Sequence, residues 1–72
     1  MKMKYTVILE KGLASYGAFV PDLPGCIAAG ETKEEVLQLI KEAIEFHIEG
    51  IIEKGEPVPP PLCDVTQVEV TA

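Results

Sequence analysis

A chain of 72 residues holds one small domain, with no room for a second fold or an internal repeat of useful period. Two cysteines allow at most one disulfide, and one histidine beside them leaves too few ligands for a structural zinc site. Twelve acidic residues against six basic ones give a net charge of −6, a field that repels phosphate backbones and argues against direct nucleic-acid binding.

Residues 3–10 alternate, with Met3, Tyr5, Val7 and Leu9 on one side and Lys4, Thr6, Ile8 and Glu10 on the other. Period two with β-branched and aromatic residues predicts a strand buried on one face. Lys11–Ala14 is a turn, and residues 15–20 form the second strand of a hairpin. Pro21 ends that strand, Pro21-Asp22-Leu23-Pro24-Gly25 makes a turn, and residues 26–30 are a short third strand.

Thr32 is the N-cap of one long helix, with Glu35 three residues on to complete a capping box. Gly55 closes the helix, and Pro57 prevents its resumption. Val36, Ile40, Ala43, Ile44, His47 and Ile51 share one face, widened by Leu37, Leu39, Phe46, Ile48 and Ile52. That arc exceeds what one sheet covers. Phe46, His47, Ile48, Gly50 and Ile51 are therefore expected to serve the core or a contact between copies, with Gly50 at a close backbone approach. Glu42, Glu45 and Glu49 belong to the opposite, solvated side. Residues 56–62 suit an extended polyproline segment, and 65–70 alternate as a fourth strand expected beside the first. The whole is an α+β two-layer sandwich, β-β-β-α-β, with an antiparallel sheet of three to four strands and one helix.

A chain this short buries only about 60% of the surface it exposes when unfolded. With 47% hydrophobic residues, it is expected to assemble as a homodimer or tetramer. The N-terminus reaches Glu10 too soon for a signal peptide, and no apolar run approaches a membrane span. A cytoplasmic protein is expected, with Cys26 and Cys63 as free thiols.

No residues make a convincing catalytic, cofactor or metal site. His47 lies among Ala43, Ile44 and Ile51 and reads as a core or interface histidine. No orienting group accompanies either cysteine for nucleophilic catalysis. Gly25 and Gly30 make no nucleotide fingerprint. Glu10, Asp22 and Glu69, the acids near strand ends, are scattered rather than convergent.

The ordered set VPDLPGC, GETKEEV, EAIEFHIEG and GEPVPPP resembles the N-terminal domain of the HicB antitoxin family across about residues 3–62. The resemblance implies a degenerate ribonuclease H-like fold without that enzyme's catalytic carboxylates. It also implies a partner, a small basic HicA-type ribonuclease that cleaves messenger RNA and whose active site the antitoxin covers. Two surfaces are candidates for that contact: Glu42, Glu45 and Glu49 on the helix, and Asp22, Leu23 and Cys26 in the turn. Many members of the family carry a further C-terminal DNA-binding domain. Residues 1–72 are expected to form the HicB-like domain alone, and operator binding by this chain is not expected. The competing readings are an orphan dimeric interaction or ligand-binding domain and, further off, a residual nuclease on the ribonuclease H-like scaffold.

Overall fold

The computed structural model describes residues 3–71, and three strands and one helix form in the order anticipated. Strand β1 (Ile8–Lys11) pairs antiparallel with β2 (Tyr16–Phe19), which pairs antiparallel with β3 (Ile27–Gly30). Helix α1 (Lys33–Glu53) lies over β3 and β2 and not over β1. The architecture is α+β, as the patterning implies.

β1 is shorter than its alternation suggests, and the register explains why. Ile8 faces Phe19, so continuing the ladder would set Thr6 against Pro21, which has no N–H to give. The chain turns there instead. Leu23 N–H donates to the Val20 carbonyl at 3.1 Å, and Cys26 N–H donates to the Leu23 carbonyl at 3.0 Å. The second turn has Pro24 and then Gly25 at its centre, and Gly25 takes φ +85°, a value that L side chains avoid. Two turns in succession swing Leu23 inward. It is 0% exposed and joins Ala18, Val20, Cys26, Val36 and Ile40 in the buried core.

Both ends of α1 are chemically closed. Thr32 Oγ1 accepts the Glu35 N–H at 3.1 Å. At the other end, Gly55 (φ +73°) donates to the Ile52 carbonyl at 3.0 Å and Glu56 to that of Ile51 at 3.1 Å, the paired bonds of a Schellman motif. The Glu35 carboxylate folds back over Gly30. A Cβ at Gly30 would stand 2.7 Å from Glu35 Oε1 and 3.1 Å from Val36 Cγ2, so glycine is what lets the helix start so close to β3. Among the described residues, no helix is long and apolar enough to cross a membrane.

The expected fourth strand is not formed. Residues 64–71 are exposed and belong to no ladder. The principal extents are 48 × 27 × 19 Å, and the 14.0 Å radius of gyration exceeds the about 11 Å of a compact chain this long. Residues 59–63 are fastened where the ladder of β1 gives out. The Tyr5 hydroxyl donates to the Pro59 carbonyl, Thr6 Oγ1 donates to the Cys63 carbonyl at 3.0 Å, and Cys63 N–H donates to Asp22 Oδ2 at 3.1 Å. Tyr5 packs toward the core with Val7 and Leu9. These bonds hold residues 59–63, and residues 64–71 continue from them without pairing to β1.

Candidate partner-binding surface

The helix is about 31 Å long and the strands only about 13 Å, so α1 overhangs the sheet. Val36 and Ile40, in its first half, are buried. Farther along, Ala43, Ile44, His47, Ile48 and Ile51 are only half-buried. The outward side carries Glu42, Glu45 and Glu49, all exposed, and Gln38 Nε2 donates to Glu42 Oε2 at 3.4 Å. Leu39 and Phe46, seven residues apart, form an apolar row alongside; Phe46 is 78% exposed. No basic residue occupies the last turn. Glu49 and Glu53 thus sit near the negative pole of the helix, an arrangement costing a few tenths of a kcal/mol in helix stability. The acids project a negative field from a surface bordered along one side by this apolar row.

The turn expected to touch a partner is built differently. Leu23 and Cys26 are core residues, because the two turns roll them under the sheet's end, and neither is available for contact. Burial pushes the Cys26 thiol's pKa up. Asp22 is half-buried, and its carboxylate is committed to Cys63 of its own chain. Asp22 also holds the Cys63 thiol above its ordinary pKa, first by a hydrogen bond to it, with desolvation and the carboxylate's charge adding. The Tyr5 hydroxyl is raised too, by desolvation and then by the Asp22 charge.

Of the five residues assigned to a core or subunit face, Phe46 is exposed, whereas His47, Ile48, Gly50 and Ile51 are half-buried. Within its own chain Gly50 makes no close approach, for a Cβ there would meet nothing within 4 Å. A feature not anticipated is a largely apolar groove of about 470 Å³ between the leading residues Met3, Tyr5 and Val7 and the helix residues Ile44 and Ile48, with Lys41 and Glu45 also on its lining. Its signal was present in the alternation of residues 3–7, which promised an apolar face without saying what covers it. Among the described residues, no three His, Cys, Asp or Glu side chains converge to hold a metal ion.

Three antiparallel strands under one helix, with an acidic and apolar outer helix face, make a small α+β two-layer module. The chain matches the family described as "HicB_like antitoxin of bacterial toxin-antitoxin system" over residues 5–70, and it belongs to that family. It is 54% identical over 56 residues to a UPF0150 protein of Synechocystis, covering 76% of this chain and 71% of that one. It is also 47% identical over 57 residues to an uncharacterized 14.9 kDa protein of Haemophilus phage HP1, covering 79% of this chain. That match spans only 43% of the phage protein. Among solved structures it resembles a chain of the "HicA3 and HicB3 toxin-antitoxin complex", with TM-score 0.69 and 32% identity over 83% of this chain and 70% of that one.

Proposed function

We propose that this chain is an antitoxin that binds a small, basic, HicA-type messenger-RNA-cleaving ribonuclease in the cytoplasm and covers its active site without itself catalysing a reaction. The observation that carries the reading is the outer face of α1, where exposed Glu42, Glu45 and Glu49 flank the Leu39–Phe46 row. A ribonuclease grips RNA with basic groups, since phosphate contacts dominate such binding. An acidic face is drawn to them and speeds association. Exposed ion pairs hold weakly, so retention falls to a desolvated apolar anchor, for which Phe46 is placed. The likeness to a chain from a toxin–antitoxin complex supports the same reading.

The test is titration of the chain into an RNA-cleavage assay of a HicA-type ribonuclease. Activity is expected to vanish at equimolar protein, with RNA and antitoxin competing. Reversing charge at Glu42, Glu45 and Glu49 should slow association, whereas Phe46→Ala should speed dissociation. Simultaneous binding of RNA and antitoxin to an inhibited toxin would replace occlusion by an allosteric block.

A homodimer or tetramer belongs to the same proposal. Beyond Phe46, the exposed large hydrophobics include Ile52, Val68 and Val70, a load that the small core cannot absorb.

A further inference from the structure

The helix covers one face of the sheet. Leu9, Tyr16, Ala18 and Ala28 pack on that side with the core, so alternation turns their strand neighbours to the opposite face. There the register sets Ile8, Phe19 and Ile27 abreast in one row and Glu10, Gly17 and Ala29 in the next. The first row is apolar throughout, and Ile27 is 71% exposed. The second row is small at two of its three places. Nothing within the chain calls for glycine at position 17. Its φ is not positive, and a Cβ there would meet only the Ala28 carbonyl at 3.9 Å, an ordinary contact. A glycine inside a central strand weakens it and often marks the close approach of another group.

We propose that this face is the contact between two copies of the chain, packed sheet to sheet about a two-fold axis. The axis runs parallel to the two rows and midway between them. The rows lie two residues apart, about 7 Å, and the axis exchanges them. Each Phe19 then covers the other copy's Gly17, and each Ile27 covers Ala29. Ile8 lies along the stem of Glu10, whose carboxylate reaches water because β1 is an edge strand. The surface is complementary to itself, as a two-fold contact requires. This rests on the homo-oligomer reading above and names the surface that makes it.

Charge identifies the occupant. Helix α1 carries six acids against Lys33 and Lys41, and so four of the chain's six net negative charges. Among the residues of the three strands, Glu10 is the one charged side chain on the outward sheet face. A basic ribonuclease is drawn to the helix, whereas a second copy, with the same charge of −6, is repelled from it. Sheet-to-sheet packing leaves both helices outside an α-β-β-α stack, beyond two sheets that are themselves about 10 Å apart. That separation exceeds the ~8 Å screening length at physiological salt. The acids of each copy stay free for another partner. Three strands of four residues make a face of only about 14 × 13 Å, far below the roughly 800 Å² that each partner gives to a standard interface. The dimer is therefore a weak one, formed above micromolar concentration.

The experiment follows mass by sedimentation and light scattering from about 1 µM to about 1 mM, where the unmodified chain should pass from monomer to dimer. Gly17→Val fills the hollow with a residue that favours strands. Thermal stability should hold or rise while dimerisation weakens at least about tenfold, a separation that a role confined to the fold does not produce. Ile27→Lys, at an exposed position, should weaken the dimer by a similar factor with helix content unchanged. Ile52→Lys, near the far end of α1, should leave dimerisation as it was. A dimer that tolerates both Gly17→Val and Ile27→Lys, or is lost to Ile52→Lys instead, overturns the sheet contact but leaves self-association standing. A monomer at every concentration removes both readings.

Discussion

The backbone N–H of Cys63 donates to the carboxylate of Asp22, 41 positions earlier in the chain, at 3.1 Å. This bond ties the end of the polyproline segment to the turn between β2 and β3. It makes Asp22 an internal fastener rather than a free contact group. The same carboxylate keeps Cys63 protonated above its ordinary pKa, so the exposed thiol is a poor nucleophile near neutral pH.

Asp22→Asn should therefore raise the reactivity of Cys63. The pH profile for alkylation is expected to shift to lower pH, because the hydrogen bond and the nearby negative charge both disfavour thiolate. An unchanged profile would mean that the carboxylate does not govern the thiol in solution.

Tyr5→Phe removes the hydroxyl that holds Pro59 and should cost about 0.5–1.5 kcal/mol, read from urea unfolding. The pH dependence has a definite sign. Tyr5 has a raised pKa, so its contribution is complete below the ordinary value of about 10 and is lost as pH rises through the folded value. Stability of the unmodified chain should fall more steeply above pH 10 than that of the variant.

Leu23→Ala empties a fully buried position and should cost about 2–5 kcal/mol, enough to unfold much of so small a domain. Leu39→Ala, on the exposed helix side, should leave stability within about 0.5 kcal/mol. Thermal unfolding of the pair separates a core residue from a surface one.

The two glycines facing each end of the helix should respond in opposite directions. Gly50→Ala meets open space in a helical segment and should stabilise by about 0.5–1 kcal/mol. Gly30→Ala is expected to destabilise, because Val36 Cγ2 lies at 3.1 Å in the core and cannot move as the Glu35 carboxylate can. Loss of self-association in Gly50→Ala without loss of stability would place that residue at a contact between copies.

The helix and the hairpins were legible because their signals are local. Thr32, Gly55 and the Pro24-Gly25 turn each specify backbone geometry from a few neighbouring residues. The acidic row of Glu42, Glu45 and Glu49 follows from spacing alone. Leu23 misled because a residue between two prolines looks like the tip of a loop, and only the coupling of two turns sends it inward. The fourth strand misled for a different reason. Alternation at 65–70 reports that the segment can pair, whereas pairing depends on whether an edge lies within reach. The chain just before it is held by Tyr5, Thr6 and Asp22, remote groups whose hydrogen bonds no local pattern announces.

The overhang of α1 divides labour along one rod. Val36 and Ile40 are answerable to the sheet, and changes there are paid in folding. Beyond the sheet's end, Phe46, Glu49 and Ile52 answer to almost nothing within their own chain. A library randomised at these three positions should therefore keep the folded state while varying widely in which partner it accepts, so that specificity is rewritten on the cantilevered half without disturbing the anchored one.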